Sequence, residues 1–354
     1  MRNATRVLFN AYVSQVALLS GIAAEDAAKG FSVAPVVEQR LEEIIFSGSE
    51  FLQQIAFVPV DQQEGDKVGL GITRPLAGRT NTNINPRRPT DPTDTSDLGR
   101  YRCEKTNFDH ALKYAKLDAW SHKPQFQQLI RDVILKQQGR DRIMIGWNGR
   151  SVAAQTDLAA NPLLQDVNKG WLYKIETHAP ERVLDDGELT TGAQAATKAI
   201  YVGDGEVGVE VDYANIDALA FDAIELMDEW HRDDTDLVVI VGRDLVHEKY
   251  LNVINAAGDK ATEMEARDRI LTLPKQVGGK RAVMVPSFPK DAMLITSLDN
   301  LAIYVQNETR RRVLREEPEW DQVANYESVN EAYVVEEYGR TALVKNIRMG
   351  RKPA

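Results

Sequence analysis

The chain has 354 residues, 43% of them hydrophobic and 27% charged, with a formal net charge of -10; this excludes wholesale disorder, and a surface of that sign repels phosphate backbones and disfavours sequence-specific DNA binding. The length exceeds what one simple core organises, so two lobes or a body with long excursions are expected. No apolar run approaches the roughly 20 residues needed to cross a bilayer, and the single cysteine, Cys103, cannot close an intrachain disulfide and fits a reducing compartment.

In chain order, Leu8, Tyr12, Val16 and Leu19 fall near one helical face, which predicts an amphipathic helix over Thr5–Leu19 rather than a signal peptide, since Asn10, Ser14 and Gln15 interrupt the apolar stretch. A small-residue patch (Ala23, Ala24, Ala27, Ala28, Gly30) precedes a second helix over Val36–Phe46, and Phe51–Val60 reads as extended. From Asp61 to about Asn107 glycines alternate with Pro75, Pro86, Pro89 and Pro92, and few residues suit a core. Ordering such an excursion costs on the order of 1–2 kcal/mol per residue in backbone entropy, which its few apolar side chains do not offset, so either it is a mobile loop or neighbours hold it.

Ser121 as N-cap, Pro124 in the first turn and Phe126, Leu129, Ile130, Val133 and Ile134 at i, i+3, i+4 spacing predict the longest helix, running towards Ile143 and ended by Gly146 and Trp147-Asn148-Gly149. Thr190–Val211 reads as glycine-punctuated and strand-rich, and Asn215 caps a helix predicted to end near Trp230. Leu237–Val241 is a β-branched run suited to a strand buried on both faces, stopped by Gly242. Further strands are predicted at Arg281–Val285, Ala292–Thr296, Leu301–Gln306 and Ala332–Glu337. Helices and strands mix without a βαβ rhythm, which makes α+β the class.

Chemical motifs are thin. Gly203-Asp-Gly-Glu-Val-Gly208 matches G-x-G-x-x-G, but an extended Val209-Glu210-Val211 follows where a dinucleotide site needs a helix. Gly278-Gly279-Lys280-Arg281 lacks the rest of a phosphate loop and reads as a tight turn, the five histidines form no zinc cluster, and no G-x-S-x-G elbow places a nucleophile. No catalytic residue, cofactor or metal ligand is therefore assigned, with a soluble hydrolase or nucleotide-binding enzyme as the alternative. The run Arg310-Arg311-Arg312 is expected to be neutralised by Glu316, Glu317, Glu319 and Asp321 just after it, and Lys345, Arg348, Arg351 and Lys352 to form a solubilising basic end.

Several phrases, in order along most of the chain, resemble the major capsid proteins of P2-like tailed phages. They include Phe9-Asn-Ala-Tyr12, Val58-Pro-Val60, Asn107-Phe-Asp109, Leu117-Asp-Ala-Trp120, Asn161-Pro-Leu-Leu-Gln-Asp166, Gly170-Trp-Leu172, Asp236–Arg243, Ala292–Thr296, Asn325-Tyr-Glu-Ser328 and Tyr333-Val-Val-Glu336. The resemblance implies the Hong Kong 97-type capsid fold and divides the chain into a scaffold-binding, processed segment (1–31), an N-arm (32–60), an extended loop (61–107), a peripheral domain with a spine helix (108–197), an axial domain (198–318) and a return to the periphery (319–354). It implies hexamers and pentamers in an icosahedral head assembled in the host cytoplasm, enclosing double-stranded DNA without sequence-specific binding. Its other implied partners are an internal scaffold, a maturation protease and a portal protein at one vertex, and no membrane. Small residues ahead of Phe31-Ser32 make that bond the expected processing junction, and Val68, Leu70, Ile72 and Tyr101 are the residues expected to be buried by neighbouring subunits.

Overall fold

The computed structural model describes residues 1–19, 22–29, 31–67, 99–120, 126–190, 198–247, 249 and 275–353. Helix α1 spans Asn3–Leu19 and lays Thr5, Tyr12 and Ala17 against the body, while Leu8, expected on that face, is 37% exposed. Strand β1 (Phe31–Ser32) leads into α2 (Pro35–Ser47), which starts on a proline whose missing N–H the first helical turn does not need. Where sequence predicts extension from Phe51, Leu52–Gln54 form a single 3-10 turn and β2 is confined to Ala56–Val60.

The hairpin of β3 (Glu64–Asp66) and β4 (Arg100–Arg102) forms the root of the glycine- and proline-rich excursion, whose residues 68–98, with Val68, Leu70 and Ile72, lie outside the described residues. Strands β5 (Glu104–Asn107) and β6 (His110–Lys113) follow, then α3 (Tyr114–Trp120) and the long α4 (Phe126–Asn148). The predicted N-cap Ser121 and Pro124 fall outside the described residues. Gly146 does not end α4 but sits inside it. A Cβ there would stand 2.2 Å from Cζ3 of Trp171, so glycine is needed for close packing against α5 (Trp171–His178), not for a turn.

Beyond β7 (Val183–Leu184), β8 (Ile200–Val202) is the regular strand of the stretch predicted strand-rich. Asn215 caps α6 (Ile216–Ile224) as expected, its Oδ1 accepting the Ala218 N–H at 2.8 Å. The helix stops six residues before Trp230, because after Ile224 the backbone tightens to i→i+3 bonds (Leu226 N–H to Ala223, Met227 N–H to Ile224) and Arg182 donates to the Leu226 carbonyl. The remaining strands are β9 (Val238–Val241), β10 (Gln276–Val277), β11 (Lys280–Val283), β12 (Met293–Thr296), β13 (Leu301–Gln306), β14 (Arg311–Glu317), β15 (Gln322–Val335), β16 (Ala342–Val344) and β17 (Ile347–Met349).

Two main sheets result among the described residues. In the seven-stranded sheet, ordered β1-β14-β15-β13-β2, β15 is flanked on one edge by β14 and then β13 and on the other by β6 and then β5. The six-stranded sheet runs β10-β11-β9-β12-β16-β7, with β9 buried at every position, as its unbroken apolar run predicts. Strands β13 and β14, expected in the axial unit 198–318, pair instead in the seven-stranded sheet, whereas β7 and β16, from outside that range, complete the six-stranded one. The mixed architecture without βαβ order is α+β, as expected. The larger core gathers between α2, α4, α5 and one face of each sheet around Trp147 and Trp171, whose rings meet edge to face at 4.8 Å; the smaller one lies between α6 and the other face of the second sheet.

Candidate assembly site

The most charge-dense place in the interior joins four elements that are distant in sequence. Helix α2 turns Glu38, Glu42 and Ile45 to one face, and α4 turns Leu135, Gln138, Arg142 and Ile145. Where these faces meet the start of β14 and the middle of β15, Glu42 is held between Arg142 and Arg310. Arg142 donates to both Glu42 oxygens, Nη2 at 3.1 Å, and through Nε to Glu331 at 2.8 Å. Arg310 donates to Glu42, to Glu327 (Nε, 2.6 Å) and to the Gln138 side-chain Oε1 (3.0 Å), and Tyr333 donates to Glu331 at 3.0 Å. Both guanidinium groups are fully buried.

Burial alone would raise the Glu42 carboxyl, but the charges of Arg142 and Arg310 outweigh it and hold the group below its ordinary range. Burial likewise opposes ionisation of Glu327, yet Arg310 and Arg312 draw it down to about 2. Charges taken out of water on this scale are tolerated only when pairing is complete. What the arrangement can do is mechanical. It fastens α2 to α4 and to the first sheet, and its hydrogen bonds within the chain engage every charged group of the cluster.

Within the Arg310–Arg312 run, Arg310 is therefore neutralised, but not by the acids expected. Arg310 uses Glu42 and Glu327, and Arg312 reaches Asn325 (2.8 Å) and the Tyr12 hydroxyl (3.3 Å). Glu316 pairs with Arg6 at 2.9 Å, while Glu317 accepts from Gln322 and Tyr326. The basic end is tied down too, by Lys345–Glu176 (2.8 Å) and Arg351–Glu210 (3.0 Å). None of the network residues was singled out as functional from sequence. The readable signal was a charged residue in the apolar register of a predicted helix, as Arg142 is between Leu135 and Ile145.

Of the predicted site residues, Phe31 and Ser32 form the two-residue edge strand β1, paired with Arg312 and Arg311 of β14. Phe31 is buried with Ala27 and Val33, so in the folded chain the junction is paired rather than loose; the Ser32 hydroxyl donates to the Glu308 carbonyl at 3.2 Å. Tyr101 is not waiting for a neighbour to bury it. Its own chain does so, against Tyr304 (ring centroids 5.0 Å apart), Cys103 and Ala332, because β4 folds over the outer face of β13 and β15. The structure thus brings Phe31 and Ser32 together and sets Tyr101 in a separate cluster.

Nothing at the glycine motifs resembles a phosphate site. Gly203–Gly208 is a turn after β8, with the next helix starting only at Ile216, and Gly278-Gly279, both at positive φ (58° and 75°), close the tight β10–β11 hairpin. A cleft of about 270 Å³ at the end of α4 is lined by Arg150, Glu176, Asp291 and Lys345, and Arg150 and Lys345 both pair with Glu176. Among the described residues no group of His, Cys, Asp and Glu is placed to hold a metal ion, and no helix is long and apolar enough to cross a membrane.

The fold and the site define a structural protein, a two-sheet body fastened by buried ion pairs and carrying a helical arm and a hairpin-rooted excursion. The chain belongs to the P2 family of phage major capsid proteins, whose model matches residues 8–347. It is 44% identical to the capsid protein of Escherichia phage P2 over 353 residues (99% of this chain, 96% of the relative) and 39% identical to the major capsid protein of Serratia phage KSP20 over 350 residues (98% and 97%). A chain of the solved satellite phage P4 procapsid including size determination (Sid) protein matches with a TM-score of 0.79 at 41% identity, covering 99% of both chains. The protein is a major capsid protein, a structural component of the virion.

Proposed function

We propose that copies of this chain form hexamers and pentamers that tile an icosahedral head around double-stranded DNA. In this reading the six-stranded sheet is the axial domain at the centre of each capsomer, the seven-stranded sheet with α4 is the peripheral domain, and residues 68–98 reach a neighbouring subunit through Val68, Leu70 and Ile72. The observation that carries it is full-length likeness to phage capsid chains, joined to a β3–β4 hairpin that brackets the glycine- and proline-rich segment. Negative-stain microscopy of the expressed protein tests it: closed shells or capsomers are expected, and a monodisperse monomer at high concentration overturns it. Deleting residues 76–98 is expected to leave a soluble subunit that does not assemble.

Residues 1–31 bind an internal scaffold and are then removed by a maturation protease at Phe31-Ser32. The pairing of β1 with β14 means that this edge strand must leave the sheet, or be captured directly, before cleavage. Mass spectrometry of filled heads is expected to show a chain starting at Ser32, and an unprocessed N-terminus counts against the proposal. A portal occupies one vertex. Net charge of -10 keeps the container from gripping its cargo, so purified capsomers are expected not to bind free duplex at physiological salt.

A further inference from the structure

Around Lys67, at the end of the β3 hairpin arm, positive charge from several elements collects among the described residues. Lys67 is only 5% exposed; its ammonium donates to the Val335 carbonyl and stands 4.7 Å from the centroid of the Tyr338 ring. His178, at the end of α5, places its ring 5.8 Å from the same Tyr338, and one helical turn earlier Lys174 lies within electrostatic reach of Lys67, Lys169 and His178. Lys169, exposed at the start of that segment, stands 5.8 Å from the Tyr173 ring. The acid facing Lys67 is Glu336, and its carboxylate already accepts the Tyr304 hydroxyl at 2.9 Å. Among the described residues, Glu336 is thus the acid set against Lys67, and it is already engaged.

We infer that this recess receives carboxylate side chains of a second copy of the chain. Like charges brought together at a partly dry surface disfavour one another, and an incoming carboxylate relieves them all at once. Burial first, and then the Lys67 charge, pushes Lys174 down to about 8, while burial does the same to Lys67, the cost an arriving anion offsets. A second copy suits the recess better than nucleic acid. Every copy carries a net charge of -10, and a carboxylate on a loop can approach a lysine that is almost covered, whereas a duplex with a persistence length of about 50 nm offers its phosphates to open surfaces. The inference rests on the shell-subunit reading, since it needs copies side by side.

Zero-length carbodiimide coupling of lysine to carboxylate, applied to particles co-assembled from isotopically light and heavy protein, tests it. Mixed-label adducts joining Lys169 or Lys174 to a carboxylate of another copy are expected in assembled particles and not in dissociated subunits. The double variant K169E/K174E is expected to lower assembly yield at least tenfold, while K169R/K174R assembles normally; circular dichroism of the soluble subunit separates misfolding from lost contact. Normal shells from the K169E/K174E variant, or adducts confined to single chains or to a different protein, overturn the inference while leaving the capsid reading intact. So does lysine protection that disappears when nuclease empties the particles, which assigns the recess to phosphate.

Discussion

Glu42 and Gly146 show how single side chains hold this body together. Glu42 accepts from two buried guanidinium groups at once, so Glu42→Gln leaves Arg142 and Arg310 short of a counter-charge inside the protein, a loss of the order of 3–5 kcal/mol. Urea denaturation of the soluble subunit is expected to show it as a fall in midpoint at unchanged slope. Replacing the charged cluster by apolar residues of similar volume is expected to cost far less, because what is expensive is the half-paired state. Gly146 reverses the usual helix rule. An interior Gly→Ala normally stabilises a helix by about 1 kcal/mol, but here the added methyl runs into the Trp171 ring, so Gly146→Ala is expected to destabilise by roughly 1–3 kcal/mol, measured by the same unfolding curves.

Strand β15 is the element on which the others depend. It carries two of the network's three acids, Glu327 and Glu331, on a strand whose neighbours include β14, β13, β6 and β5. Because Glu327 is held at about 2, well below its ordinary value of 4.5, its contribution to stability is fully present above the ordinary carboxylate range and is lost as pH falls towards 2. The wild-type denaturation midpoint is therefore expected to drop steeply between about pH 4.5 and 2, and Glu327→Gln to be weaker at neutral pH with a flatter acid limb.

The same strand explains what could be read beforehand and what could not. Leu237–Val241 and Leu301–Gln306 were legible because their side chains carry the burial themselves. Asn215 was legible because a cap is a local event. Strand β14 and the first half of β15 were not, since Arg311, Arg312, Arg315, Glu316, Asn325 and Glu327 read as surface when their partners lie tens to hundreds of residues away. The helix ends at Asn148, within the expected turn, but the role of Gly146 was hidden for a related reason: the partner that makes it a packing residue, Trp171, is remote in sequence. The predicted N-cap of that helix and three of the four expected loop contacts fall outside the described residues, and the fourth, Tyr101, is covered by its own chain.

At the level of the whole molecule, both main sheets are completed by the last segment of the chain. Strand β15 occupies the middle of the seven-stranded sheet, and β16 sits between β12 and β7 in the six-stranded one. Strands β5 and β6, made early, have no sheet partner until Gln322–Val335 exists, β2 waits for Leu301–Gln306, and β7 cannot join before Ala342–Val344. A nascent polypeptide still tethered to the ribosome with these residues in the exit tunnel therefore has neither sheet closed, and its pairings are of the long-range kind that form slowly. A copy truncated before Gln322 therefore lacks the strand around which the seven-stranded sheet is built.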